Sequence, residues 1–463
     1  MNDAYHRIEG LVDPASFEEF APAGRGNYIT GRARVAGRGV YISAANTAPP
    51  TMTPLEGVAK QAAFFEAVER DPAPLALIVD APGTVQQAGG KTPIPPDADR
   101  LMVSADGVGR LYSMQARLRY TVPQIAVVVG RVGAALSFPV SLCDVVVMAR
   151  QAAVCIGRPD AVRFMIGQET DFERLGGAAM HCTVSGVGDV LAEDTAAALA
   201  WARRWLSRVP EAAGRPCPVA APAPPAAGAV PPDDIVPADP NRPFDMHALV
   251  AACGDAGSFL ETKALFAPES LVGLGRIAGR TVGVIANNSV ARGGILFPET
   301  CRKMTDFIRF CDGFGIPMVF FADTPGFMVG EETEATGIVR AGADLLAAIA
   351  RASVPKLCVV VRKAYTAGLY AMAGPGFDPR HVWALPSASV SIFGRKALER
   401  FAAARDINPQ DRQRVAMMIA QSEDPRLLVE KGLIERVIRA AELRPALVRF
   451  LENAANPALT PGG

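Results

Sequence analysis

Three short apolar runs punctuate the second half of the chain: Thr281 to Ala286, Pro317 to Ala322 and Lys356 to Val361. Each is rich in Val, Ile or Phe and ends at Gly, Asn, Asp or a charged turn. That is the pattern of strands buried on both faces of a parallel sheet. Amphipathic stretches, Glu299 to Phe314 and Gly337 to Ala352, lie between them and are long enough for crossover helices. An Ala-rich stretch in the first half, Thr195 to Ser207, is helical by propensity. Small-residue turns follow the apolar runs: Gly293-Gly294, Asp323-Thr324-Pro325-Gly326-Phe327 and Tyr365-Thr366-Ala367-Gly368. Small residues let backbone N–H groups approach a ligand, and a helix start after the last turn aims them at negative charge.

The pattern occurs twice. Asp13-x-x-Ser16-Phe17-x-Glu19 lines up with Asp255-x-x-Ser258-Phe259-x-Glu261 at an offset of 242 residues. The same offset aligns Arg34-Val35-Ala36-Gly37-Arg38 with Arg276-Ile277-Ala278-Gly279-Arg280, and Asn46 with Asn288. Further on, Val79-Asp80-Ala81-Pro82-Gly83 echoes Ala322-Asp323-Thr324-Pro325-Gly326, and VPQIAVVVG from Val122 echoes VPKLCVVVR from Val354. Several matches in one order indicate two copies of one α/β unit. Between them, Pro216 to Asp234 is too rich in Pro and Ala to make a core and reads as an extended connector. The expected domains are 1–208 and 235–463, joined by a linker over 209–234.

Composition narrows the function. The 463 residues suit two or three domains, and half are hydrophobic, enough for a large core. Lys plus Arg equals Asp plus Glu, 47 each, which gives no bulk attraction to nucleic acid. No apolar run reaches transmembrane length, and the start, MNDAYHRIEG, does not read as a signal peptide. The eight cysteines contain no C-x-x-C pair, which argues against a disulfide framework and against a zinc ribbon. A reduced, cytoplasmic setting is expected. His6, His181, His247 and His381 have no metal-ligand spacing, so no metal site is expected.

The segments GRTVGVIANN, FIRFCDGFGIP, DTPGFMVG and RKAYTAGLYAM closely resemble the carboxyltransferase (beta) subunits of biotin-dependent acyl-CoA carboxylases, of propionyl-, methylcrotonyl- or acetyl-CoA carboxylase type. The resemblance covers essentially the whole chain, strongest from Ile235 onward and weaker before Pro210. It implies a crotonase-like fold for each half, built of repeated ββα turns in a spiral of sheet. It also implies face-to-face pairing of subunits, the N-half of one meeting the C-half of the other, and a ring of three dimers. The implied partners are an acyl-CoA and a biotin carboxylase with its biotin carboxyl carrier. The cofactors are carboxybiotin on that carrier and a CoA thioester.

The implied reaction moves a carboxyl group from carboxybiotin to the α-carbon of an acyl-CoA. Negative charge develops on the thioester oxygen and on the ureido oxygen, and preorganised backbone N–H donors lower both costs. By resemblance, the N–H groups of Ala367 and Gly368 serve the biotin oxygen, and those of Ala134 and Ala135 the thioester. Arg292, Gly293, Gly294, Asp323, Pro325, Gly326, Phe327, Tyr365 and Thr366 flank the biotin pocket; Gly133, Gly83 and Tyr370 fall on the acyl-CoA side. Asp323 reads equally as a turn former, and Tyr370, where short-chain enzymes often carry Asp, equally as a core aromatic. Thr366 replaces a family glycine, which requires a turn that works with an ordinary φ.

The first half departs from the family. Its Gly-Gly pair reads Ala134-Ala135, its D-S-G-G-A-R reads Asp80-Ala81-Pro82-Gly83-Thr84-Val85, and its G-G-S reads Thr51-Met52-Thr53. Each added Cβ restricts close approach. Three readings stay open: a carboxyltransferase with an altered acyl site, a decarboxylase or transcarboxylase of the same fold, and a non-catalytic scaffold subunit with a decayed acyl site.

Overall fold

The computed structural model describes residues 3–48, 51–81, 97–133, 136–226, 230–239, 241–391 and 424–454, with 400, 410, 411, 413, 414, 417 and 421 besides. Ala134, Ala135 and Gly83 lie outside the described residues. The chain forms two compact units, Met1–Pro218 and Val219–Gly463.

In the first unit, β1 (Glu18–Glu19), β2 (Tyr28–Val35), β3 (Arg38–Ala45), β4 (Leu75–Val79) and β5 (Gln124–Val128) lie side by side, followed by β7 (Val145–Ala149) and β9 (Val190–Ala192). Two short strands, β6 (Arg131–Gly133) and β8 (Ala153–Cys155), pair apart from that sheet. The second unit repeats the plan with β10 (Leu260–Thr262), β11 (Ser270–Ile277), β12 (Arg280–Asn287), β13 (Met318–Thr324), β14 (Lys356–Tyr365), β15 (His381–Ala384) and β17 (Arg436–Val437), while β16 (Ser389–Ser391) adds to the end of β14. β12, β13 and β14 are parallel, as their continuous apolar runs predict. The leading hairpin is not: β11 runs antiparallel to β12, and β2 to β3.

Alternation divides each run between two packed layers. Val282, Val284, Val319, Phe321, Val359 and Val361 share a core with Leu249 and Val250 of the Met246–Cys253 helix and with Leu443, Leu447 and Phe450 of the Ala440–Ala454 helix. Gly283 points the other way, where a Cβ would stand 2.6 Å from Cys311 Sγ of the Pro298–Gly313 helix. Each large apolar side chain so buried contributes about 1.5–3 kcal/mol.

The 242-residue offset is a repeat of interactions. Asp13 accepts hydrogen bonds from the N–H groups of Ala36 and Gly37, closing the β2–β3 turn; Asp255 does the same for Ala278 and Gly279 between β11 and β12. Each aspartate also meets an arginine from a later helix, Arg203 or Arg444, whose Nη1 donates to the Leu11 or Cys253 carbonyl. A buried lysine recurs as well. Lys60 Nζ donates to the carbonyls of Pro22, Arg25 and Tyr28, and Lys303 Nζ to those of Lys263, Phe266, Ala267 and Ser270. Burial lowers the pKa of Lys60, with Glu19 opposing the shift.

The linker over 209–234, expected to be an extended connector, is hydrogen-bonded to the fold along its first part. Ala213 N donates to Thr121 O in the first unit, and Ala220 N to Gly279 O in the second. Arg444 Nη2 holds the Ala223 carbonyl at 2.6 Å. Its composition leaves no side chains for a core, yet its backbone carbonyls still find donors.

His247, at the start of the 246–253 helix, lies between Asp245 Oδ1 at 2.6 Å and Glu261 Oε2 at 2.7 Å. The Glu261 hydrogen bond raises its pKa from 6.5 to about 9; burial opposes the shift and Asp245 adds to it. The folded value lies above the unfolded one, so the stabilisation is complete below about pH 6.5 and is lost as pH rises through 9. The side chain is 41% exposed, so screening leaves about 1 kcal/mol. Denaturant unfolding of His247→Gln is expected to fall short of wild type by that amount at pH 6 and to match it above pH 9.

Candidate functional site

The second unit brings its three small-residue turns together. β13 ends at Thr324, and the chain turns through exposed Pro325 and buried Gly326 into Phe327. Leu296 N donates to Gly326 O at 3.0 Å, and Met328 N to Leu296 O at 2.9 Å, so the segment after Arg292-Gly293-Gly294 is stitched to the 325–328 turn. β14 delivers Tyr365 and Thr366 to the same place, where a Cβ on Gly326 would stand 3.5 Å from Tyr365 O. A Cβ on Gly368 would stand 2.9 Å from Gly326 Cα and 3.0 Å from Thr324 Cγ2. Only glycine allows this approach.

A short helix, Ala367–Tyr370, starts at the turn. Its first N–H groups, those of Ala367 and Gly368, have no intrahelical acceptor. Thr366, expected to keep an ordinary φ, does not: it caps the helix at φ 46°, ψ −129°. That region strains a β-branched residue by about 1–3 kcal/mol. The strained backbone is held in place from outside, by a 3.0 Å bond from Thr366 N to Ser391 O and by the β14–β16 ladder.

The remaining residues predicted for the biotin side have partners within the fold. Arg292 donates from Nη2 to Glu269 Oε1 at 2.7 Å and to Glu299 Oε1 at 3.0 Å, with its guanidinium carbon 3.8 Å from the centre of the Phe297 ring. Burial works to lower its pKa, but Glu269 and Glu299 outweigh this and it lies above the ordinary value. Gly293 and Gly294 both take positive φ, 68° and 72°. The Phe327 ring packs on Gly342 of the Ile338–Arg351 helix, 3.1 Å from where a Cβ would be. Asp323 is fully buried; its carboxylate pairs with Arg362 at 2.7 Å and accepts from Lys363 N at 3.3 Å. Its carboxylate is turned to β14 and does not cap the turn after it. Burial lowers the pKa of Lys363, whose Nζ lies 3.8 Å from Asp323, with that carboxylate opposing the shift. Tyr370 is 49% exposed and stacks loosely on Phe377, which removes the core-aromatic reading.

In the first unit, Gly133 ends β6 beside β8, where a Cβ would meet Arg158 Cγ at 3.0 Å. Asp80 stands where Asp323 does but pairs with Arg7, 2.7 Å away. Thr53 of the altered Thr51-Met52-Thr53 segment caps the Pro54–Arg70 helix in a reciprocal capping box with Glu56. Among the described residues no group of three His, Cys, Asp or Glu could hold a metal ion, and no helix is long and apolar enough to cross a membrane.

Sequence reasoning missed Arg362, Lys303 and Glu269. Each is a charge where periodicity or burial demands an apolar side chain: Arg362 closes the run CVVVR, and Lys303 sits on the inner face of its helix. A charge at such a position implies a partner, and that was the available signal.

The family described as carboxyl transferase domain matches residues 2–92 and 86–460. The uncharacterized carboxylase YngE of Bacillus subtilis (strain 168) is 39% identical over 354 residues, covering 75% of this chain and 69% of that protein. The methylmalonyl-CoA carboxyltransferase 12S subunit of Propionibacterium freudenreichii subsp. shermanii is 29% identical, covering 97% and 88%. The crystal structure of transcarboxylase 12S with methylmalonyl-coenzyme A and methylmalonic acid bound superposes with a TM-score of 0.87 at 27% identity, over 99% of this chain and 91% of that one.

Thr366→Gly is expected to raise the stability of the second unit by about 1 kcal/mol, the relieved strain less the flexibility that glycine adds. Gly368→Ala, driven into the backbone of Gly326, is expected to lower it by about 1–3 kcal/mol. Thermal unfolding of both variants against wild type measures the two changes.

Proposed function

Because the chain belongs to the carboxyl transferase domain family, we propose that it is a biotin-dependent acyl-CoA carboxyltransferase of crotonase-like fold, with the biotin side in its second unit. The observation that carries this reading is the convergence of the 292–296, 325–328 and 365–368 segments around the Ala367 and Gly368 N–H groups. A carrier-borne carboxybiotin would supply the carboxyl group and a ureido oxygen on which charge develops. Ala367 and Gly368 donate to that oxygen, and no protein acid–base group is needed there. Gly326 and Gly368 keep the turn low enough for the planar ureido ring, while Gly293 and Gly294 shape the neighbouring wall. Donors fixed before the reaction stabilise charge without reorganising, and each is worth about 3 kcal/mol.

The acyl-CoA side falls to the first unit, to Gly133, Gly83, Ala134 and Ala135, with Tyr370 approaching from a neighbouring subunit. A homo-oligomer fits this division. The Pro159–Ile166 helix buries none of its residues and leaves Phe164, Met165 and Ile166 at least 71% exposed, an apolar face that calls for a partner. Transcarboxylase 12S forms a hexamer assembly. Eight free cysteines suit a reducing, cytoplasmic compartment. The partner is a biotin carboxyl carrier with its carboxylase.

The purified protein, incubated with labelled carboxybiotin on a carrier protein and a panel of acyl-CoAs, is expected to move label into an acid-stable acyl-CoA product. Gly368→Pro removes one donor and also presses a Cβ against Gly326, and should cut the rate at least about 10²-fold with the oligomer intact. Absence of label in every acceptor refutes the reading.

A further inference from the structure

Arg362 and Asp323 are both fully buried, and every N–H of the guanidinium is taken. Nη2 donates to Asp323 Oδ2 at 2.7 Å and to Ser289 Oγ at 3.0 Å, and Nε to Asp323 Oδ1 at 3.3 Å. Nη1 donates to the carbonyls of Arg242 at 2.6 Å and Asp239 at 3.3 Å. The guanidinium carbon sits 4.6 Å from the centre of the Phe244 ring. Five donors in a fixed plane meet five acceptors, which a lysine ammonium with three rotatable donors cannot reproduce.

The pair sits at a break in the sheet. β13 and β14 are in register from Met318 to Ala322, where Ala322 faces Val360; the next pair is Thr324 with Ala364. β14 thus advances further than β13 across this break, and Asp323 alone faces residues 361–363. Its carboxylate fills the gap in the ladder by accepting from Lys363 N at 3.3 Å and from Arg362. Such a bulge re-aims the strand that carries it. Here the re-aimed strand leads directly into Tyr365, Thr366 and the two amides of Ala367 and Gly368.

The first unit supplies the contrast. VPQIAVVVG aligns with VPKLCVVVR so that Gly130 stands where Arg362 does. A Cβ there would lie 1.6 Å from Asp80 Oδ1, so the carboxylate occupies the space a side chain would need. That strand stops at Val128, and the residues after it pair in a separate two-stranded sheet. The arginine and the continuous bulged strand therefore occur together in one unit and are both missing from the other.

We propose that Arg362 is a positioning residue of the transfer site: through Asp323 it sets the bulge of β14, and with it the direction of the Ala367 and Gly368 N–H groups. Its catalytic consequence rests on the reading given under Proposed function; its structural consequence does not. Hydrogen exchange on the intact protein tests it, comparing Arg362→Lys and the isosteric Asp323→Asn with wild type. Peptides covering 362–372 are expected to exchange at least tenfold faster in either variant, with those covering 280–287 unchanged. In the same preparations kcat for transfer from carboxybiotin on the carrier to an acyl-CoA should fall at least tenfold with KM for the carrier within twofold, and the two substitutions combined should cost no more than the worse single one. Unchanged exchange over 362–372 overturns the proposal, as does uniform acceleration over the whole second unit, the mark of a merely structural role. Local loosening with an unaltered kcat overturns the positioning role. If wild type itself transfers nothing, the function fails, and the exchange result alone decides whether Arg362 sets the bulge.

Discussion

Burying an ion pair is costly, and the second unit accepts that cost at the point where its sheet changes register. Two charges removed from water are stable only when every donor and acceptor is satisfied. Arg362 meets that condition with a carboxylate, two carbonyls, a hydroxyl and an aromatic face. The result is a rigid junction between β13, β14, the segment before the 246–253 helix and the Ser289 turn. The glycine-lined approach of Gly326 to Gly368 lies immediately beyond it. A looser junction would leave those turns free to drift by an ångström, enough to matter to the amide pair proposed above.

The repeated units share their scaffold and differ at this junction. Both close the first hairpin with an aspartate clamped by a distant arginine, and both tie a loop down with a buried lysine. The aspartates and lysines lie in the first half of each unit, and the arginines that clamp the aspartates come from its last helices. The divergence begins after β4 and β13, where Asp80 turns to Arg7 and Asp323 to Arg362. One ancestral acid thus serves two architectures, a strand that stops and a strand that bends.

Much of this was legible in the residues. Continuous apolar runs identified β12, β13 and β14 because strands covered on both faces leave little room for polar residues. The repeat was legible because turn geometry fixes residue types: Ala36-Gly37 and Ala278-Gly279 both need positive φ. Three features were not legible. The antiparallel hairpin at each unit's start was hidden, since direction depends on connection and not on composition. Thr366 looked incompatible with a strained turn because propensity describes a residue alone, whereas Ser391 and β16 hold it from outside. Asp323 looked like a turn former because its true partner, Arg362, lies on the neighbouring strand.

The lysine cages have a further meaning. A ring of inward-facing carbonyls around a positive charge is the coordination chemistry of a hard cation. In the 263–270 loop the cation is tethered to the chain, so its occupancy obeys no mass-action law: dilution, chelators and ionic competition leave it in place. The loop that carries Glu269 to Arg292 is thereby kept ordered without drawing on any pool of dissolved ions.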